Sequence, residues 1–405
     1  MKNILVINMH WNNRGDEAAN RAMLESIRDN INDATINIQI LSSDISGKEA
    51  LIDAGYVCME EYFPRFRHII EWFCAYLSKG YIVWSKAGKE FVEKVKQADI
   101  VIHAPGGPSI GDVYWKSEWG YFRRLLLVNR MGKKYFFYAP SAGPFNMKLR
   151  NIIRRYIYSN AAGIVFREDI SARYFQELFP DKEFRVTLDA AFQNEIDIIL
   201  NQEILLKYVE LNEFINKYSS IIGITITDLQ WNPKYFEKVE IKNKIEIAFN
   251  GYIDYLISQG YGVVFIPQLF GQQNDYNYMK RFCRDGTFII DDKYDSYFQQ
   301  YLISRLYAVV GMRYHSNIFS CKMGTPFISI SYEQKMKGFM EKVRLDDYWV
   351  NVEDICEELL INKFQVLVNN YDEYSAFLKK IGPQLREESK QTTNYLLKKM
   401  EESIW

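Results

Sequence analysis

Arg313, Tyr314, His315 and Ser316 stand directly after Gly311-Met312, and Lys335 follows His315 by twenty residues in Ser331-Tyr332-Glu333-Gln334-Lys335. The set combines fixed cations with one imidazole, which titrates near neutrality. The apolar run Leu306 to Val310 leads into it and predicts a buried strand. A helical pattern over roughly 316–322 leads out and stops at Gly324, before Pro326. Backbone N–H groups and the helix dipole at such a junction favour anions. The expected chemistry is acid–base handling of a phosphorylated or carboxylated substrate, with His315 one of only four histidines in the chain.

Other turns follow other apolar runs. Asn12-Asn13-Arg14-Gly15-Asp16-Glu17-Ala18 opens a helix after the first strand; Gly15 suits a tight turn and Asp16 suits a helix N-terminus. Ala104 to Asp112 holds Gly106 and Gly107, adjacent glycines that let backbone approach a ligand. It is no Walker loop and no dinucleotide fingerprint, since neither spacing is present. Asp112 reads equally as a helix cap or a base. Tyr138 to Pro144 forms another strand-end turn. Arg167 either pairs with Asp169 or clamps an anion, and Asp189 reads as a hinge residue. Pro267-Gln268-Leu269-Phe270-Gly271, with Asp275 beyond it, lines a site or forms a polar loop. His10 ends the first strand, whereas His68 and His103 sit in apolar contexts and read as packed. No cluster has metal-ligand spacing and no Ser-His-Asp order stands out, so no metal is expected.

Short apolar runs alternate with helical patterns through most of the 405 residues, the βαβ rhythm of parallel sheets covered on both faces. The runs are 4–9, 36–41, 100–104, 135–139, 164–166 and 184–188, then 221–226, 262–266, 288–290, 306–310 and 326–331. Ligands bind such sheets at the carboxyl ends of the strands. The reading is α/β: a doubly wound Rossmann-like domain over 1–193, a polar connector over 194–218, a second such domain over 219–372 and a helical tail over 373–405 that crosses back onto the first domain. The site is expected in the cleft between the domains.

Composition is that of a folded protein, with 48% hydrophobic and 25% charged residues. A net charge of −1 gives no reason to expect a nucleic-acid partner. Five scattered cysteines, odd in number, read as reduced thiols of a cytoplasmic protein. Met1 to Ile7 reads as a strand rather than a signal peptide. Aromatic content is high at 16%, which suits sugar contacts or core packing. Tyr62 to Lys86 departs from the rhythm. It is rich in aromatics and carries Arg65, Arg67, Lys79 and Lys86. It reads either as a packed insertion or as a surface touching a membrane or a lipid-linked acceptor, which would place the chain peripherally at the inner face.

Taken in order, NRGDEAA at 13–19, GGPSIGD at 106–112, SAGP at 141–144, REDIS at 167–171, LDAAF at 188–192, MRYHS at 312–316 and SYEQKMKGF at 331–339 resemble the polysaccharide pyruvyl transferase family. Pro108 departs from the family's small residue, and 62–86 has no counterpart. The resemblance implies a GT-B-like fold and transfer of a pyruvyl group from phosphoenolpyruvate to two sugar hydroxyls as a cyclic ketal, with no cofactor. It places the donor site on Arg167, Arg313, His315 and Lys335, with Tyr314, Ser316, Gly106, Gly107 and Asp16 as further substrate contacts. His315 is implied as the acid and Asp112 as the base. The implied partners are phosphoenolpyruvate and a glycan acceptor, soluble or lipid-linked. The competing reading is a GT-B glycosyltransferase whose cations bind the diphosphate of a nucleotide-sugar, and a further one is a non-catalytic sugar-binding relative.

Overall fold

The computed structural model describes residues 2–11, 13–32, 34–40, 49, 51–59, 61–62, 68–270 and 274–402. Asn12, Arg65, Arg67 and Gly271 lie outside them. The chain divides into two compact units. The first holds 1–12, 16–194 and 387–405; the second holds 13–15 and 195–386.

The first unit is built on a seven-stranded parallel sheet. Its order is Val57–Met59, Ala34–Ile40, Lys2–Met9, Ile100–His103, Tyr135–Phe137, Gly163–Phe166 and Arg185–Val186. Central strands are buried along their length, which is why they read as unbroken apolar runs rather than alternating ones. One side of the sheet packs on a core that includes Leu5, Phe122, Leu125, Phe137, Tyr158 and Phe175. A separate two-stranded parallel sheet pairs Gly106–Ile110 with Pro140–Ala142. Sequence reading missed this pair because glycine and proline weaken any strand signal.

The second unit holds a six-stranded parallel sheet in the order Thr287–Ile289, Gly262–Phe265, Ile221–Thr225, Ala308–Gly311, Phe327–Ser331 and Trp349–Asn351. In both sheets the first strand of the unit lies inside, and successive crossovers turn to opposite sides of it. The switch point falls between Lys2–Met9 and Ile100–His103 in the first unit, and between Ile221–Thr225 and Ala308–Gly311 in the second. The segment 195–217 forms helices Ile198–Lys207 and Val209–Lys217.

The last helix, Tyr371–Glu402, is shared. Its early part serves the second unit, where the Tyr374 hydroxyl donates to the Phe327 carbonyl at 2.8 Å. Its later part, from Glu387, belongs to the first unit. There it fastens through a buried polar seam. Gln193 donates to the Ser389 carbonyl at 2.9 Å, Thr392 and Thr187 hydroxyls meet at 2.6 Å, and the Tyr138 hydroxyl reaches both Gln193 Oε1 (2.8 Å) and Thr393 Oγ1 (2.5 Å). Buried polar groups are costly unless bonded, so the seam fixes the helix in one register. Replacing Tyr138 by Phe removes its bonds to Gln193 and Thr393 while Thr393 keeps Ser26 at 2.7 Å, and urea denaturation should show a loss of about 0.5–1.5 kcal/mol.

Candidate functional site

In the second unit, Ala308–Gly311 ends and helix Tyr314–Met323 begins with Arg313 as its N-cap residue. The helix therefore starts two residues earlier than the sequence pattern predicts, and His315 lies in its first turn. Ser316 explains the early start. Its hydroxyl donates to the Arg313 carbonyl at 2.6 Å and meets Thr225 Oγ1 at 3.0 Å. Ser316 is fully buried, so it braces the junction from inside. Gly311 is required for the same reason: a Cβ there would fall 2.5 Å from Ser316 Oγ and 2.3 Å from Asn317 Oδ1.

Arg313 is buried and aimed by Asp275. Nε donates to Asp275 Oδ2 at 3.0 Å, Nη2 pairs with Oδ1, and Nη2 also reaches Thr227 Oγ1 at 3.2 Å. The guanidinium lies 5.0 Å from the Trp231 ring centre. Asp275 in turn accepts from the backbone N–H groups of Gln268 (3.1 Å) and Leu269 (2.9 Å). One carboxylate thus ties the turn after Gly262–Phe265 to the arginine after Ala308–Gly311. Asp275 carries more of the site than its place in a polar loop suggested.

Lys335 stands in the first turn of helix Gln334–Lys342, after Phe327–Ser331. Nζ pairs with Glu333 at 2.7 Å and lies 5.6 Å from the Tyr314 ring centre. Glu333 is fixed by Asn232 at 3.0 Å. The Tyr314 and His315 rings meet edge-on at 5.1 Å. Arg313, Tyr314, His315, Ser316 and Lys335 are thereby brought together in one unit. Gly15 belongs with them. A Cβ on Gly15 would fall 1.8 Å from His315 Nδ1, so the glycine is there for the imidazole's approach rather than for a turn needing positive φ.

The remaining predicted residues lie in the first unit. Gly106 has φ +151 and a Cβ on it would come within 3.3 Å of an Asp16 carboxylate oxygen; Gly107 faces open space. His103 underlies this loop. Its ring is buried, with Nδ1 3.1 Å from the Ala104 carbonyl and Nε2 3.0 Å from Ser109 Oγ. Burial lowers its pKa to about 3, so the neutral ring donates from Nδ1 and accepts from Ser109. His103 is packed as its apolar context predicts, and it also holds the glycine loop.

Asp112 and Arg167 occupy braces instead of open positions. Asp112 Oδ2 accepts from the N–H groups of Asn146 (2.5 Å) and Met147 (3.3 Å), and Oδ1 pairs with Arg154 at 2.8 Å. Arg154 continues to fully buried Glu118, which also accepts from the Gly111 N–H at 2.9 Å. Arg167 is buried between Asp189 (2.7 Å) and Glu168 (3.2 Å), not Asp169, and donates to Ser141 at 2.9 Å. Ser141 belongs to the strand that pairs with the glycine loop. Asp189 caps the short helix Ala190–Phe192 through the Ala191 N–H. Sequence reasoning passed over Trp115 and Trp119, both part-exposed just after the loop, with Arg150 at 5.0 and 5.2 Å from their ring centres.

Residues 13–334 match the family described as polysaccharide pyruvyl transferase. The chain belongs to that family. The amylovoran biosynthesis protein AmsJ of Erwinia amylovora is 25% identical over 312 residues, covering 70% of this chain and 69% of that protein. UDP-GlcNAc 2-epimerase from Neisseria meningitidis has a similar structure, with a TM-score of 0.63 and 14% identity over 98% of this chain and 100% of that one. A glycosyltransferase from Rickettsia africae gives 0.61 and 13% over 100% and 98%. At such identities the likeness is one of fold, and that fold is GT-B-like. Membership makes the chain a transferase, and six of the seven sequence segments that carried the resemblance fall inside the matched region, while the seventh, 331–339, is inside only as far as Gln334.

The neutral His103 gives a pH test of the glycine loop's support. Between pH 6.5 and about 3 the unfolded chain holds a proton on this ring that the folded chain does not. Stability should therefore fall as pH drops below 6.5, with this residue contributing up to one proton, about 1.4 kcal/mol per pH unit. His103→Gln should flatten that slope in urea titrations. An unchanged slope would remove the residue as the source.

Proposed function

We propose that the protein transfers a pyruvyl group from phosphoenolpyruvate to two hydroxyls of a sugar in an exopolysaccharide or its precursor, forming a cyclic ketal. The observation that carries this reading is the convergence of Arg313, His315 and Lys335 at neighbouring strand ends of the second unit, in a family of pyruvyl transferases. The relative from Erwinia, named for amylovoran biosynthesis, supports a glycan as acceptor.

Phosphoenolpyruvate carries a phosphate and a carboxylate on a small frame. A preorganised guanidinium, an ammonium and a helix N-terminus suit it. In the proposed step a sugar hydroxyl oxygen bonds to the enol carbon while His315 protonates the methylene carbon to a methyl group. A second hydroxyl then displaces inorganic phosphate from the same carbon and closes the ketal. His315 stands in the first turn of its helix, where its imidazole is the candidate proton donor to the methylene carbon.

The first unit is proposed to take the acceptor, with Trp115 and Trp119 offering ring surface to a sugar beside Gly106 and Gly107. The hydroxyl proton goes to a carboxylate of that unit. Asp112 would have to release Arg154 to accept it; Asp16, whose carboxylate lies against Gly106, is the other candidate.

Titration calorimetry with phosphoenolpyruvate tests the donor site. Wild type should bind saturably, and Arg313→Ala should lose about 1.5–3 kcal/mol of affinity. A wild type that ignores phosphoenolpyruvate but binds a nucleotide-sugar would sink the proposal. His315→Ala should keep donor binding yet lose about a hundredfold or more in turnover, and near-normal turnover would remove it as the acid. Asp16→Asn and Asp112→Asn separate the two carboxylates: the base variant loses turnover with the fold intact, the brace variant loses thermal stability.

A further inference from the structure

Helix Ile69–Leu77 leaves Ile70, Phe73 and Leu77 in solvent, one stripe at i, i+3 and i+7, with Ile70 68% exposed. Helix Lys148–Ser159 repeats the arrangement with Leu149, Ile152 and Tyr156, Leu149 being 85% exposed. Both helices pack on Trp115–Arg130. Its adjacent residues Asn129 and Arg130 bond the Tyr156 hydroxyl (2.9 Å) and the Tyr76 carbonyl (3.3 Å), and Trp72 donates to the Arg123 carbonyl at 3.0 Å. Both stripes are thereby carried by helices anchored on Trp115–Arg130, near its C-terminal end.

The turn after the first of these helices extends the surface. It displays Tyr81 (81% exposed), Ile82 and Trp84. It is held rigidly: buried Glu71 accepts from the N–H groups of Trp84 (2.8 Å) and Ser85 (2.7 Å), and Ile82 N–H donates to Ser78 Oγ at 2.8 Å. The hydrogen bonds to Glu71 hold these aromatics out in water, and a fixed exposed apolar patch of this kind marks an interaction surface.

Charge says what covers them. The chain is near neutral overall, yet from Trp119 to Val165 it contains no acidic residue, and between Tyr62 and Lys89 the single acid is the buried Glu71. Among the described residues, the exposed charges of these segments are Lys79, Lys86, Lys89, Arg130, Lys134, Lys148 and Arg155, all basic, and beyond them Lys96 lies over the Tyr81 ring at 5.0 Å. We propose that this face docks on an anionic phospholipid bilayer, the apolar stripes and interfacial aromatics entering the headgroup boundary and the cations meeting lipid phosphates. A second copy of the chain fits poorly, because an isologous contact would set this basic rim against itself. The inference rests on the first unit's surface and not on the pyruvyl-transfer reading.

Sedimentation with vesicles tests it. The full chain should pellet with vesicles of equal phosphatidylglycerol and phosphatidylcholine, bind phosphatidylcholine alone far less, and be released by added salt. Phe73→Ser/Leu77→Ser/Ile152→Ser should weaken binding about tenfold or more. Lys86→Glu/Arg155→Glu changes only exposed charges, so it gives a second reading if the apolar variant misfolds; it should abolish the preference for anionic lipid. No binding by wild type, or equal binding by both folded variants, overturns the proposal. So does a dimer that these substitutions dissociate while vesicle binding is absent. Donor binding serves as an independent control and should be unchanged in all variants.

Discussion

The constraint on which both units depend is the reversal of winding in an all-parallel sheet. Parallel strands need crossovers, and right-handed crossovers cover one face or the other according to the direction in which the chain proceeds. Where the direction reverses, the loops after two neighbouring strands part, and backbone cannot close the gap. In the first unit that place lies beyond Met9 and His103; in the second it lies beyond Thr225 and Gly311. The chemistry-bearing residues gather at these points because the fold leaves room there. Arg313, His315 and the glycine pair 106–107 are consequences of a topology before they are parts of a mechanism.

Strand locations were legible because buried parallel strands are continuous apolar runs. Candidate residues were legible because polar side chains and glycines following such runs must sit at strand ends. Roles were less legible. Nothing local distinguishes Arg313, held by one carboxylate thirty-eight positions away, from Arg167, held between two. Asp275 and Glu118 act by long-range partnership, which spacing does not encode. Gly15 looked like a turn residue, and only the approach of the His315 ring gives its reason. Hydrophobicity at 69–84 and 149–156 likewise did not say inside or outside: a helix stripe reads the same whether it meets a core or water.

The two buried arginines make opposite electrostatic cases. Arg167 faces Asp189 and Glu168, so its surroundings already exceed its own charge, and bringing an anion there would set three negative groups around one guanidinium. Its bond to Ser141 gives it a sufficient structural reason as a brace for the strand beside the glycine loop. Arg313 faces a single carboxylate, Lys335 a single glutamate, and the first turn of a helix lies next to both. Those pairs are balanced before the partial positive charge of the helix end and any proton on His315 are counted. On the proposed function, an anionic donor would find balanced pairs and a helix N-terminus beside Arg313, but an excess of carboxylates at Arg167. Within the proposal that asymmetry is the reason to put the donor on the second unit, and it follows from which carboxylates fold against which arginine rather than from the number of cations present.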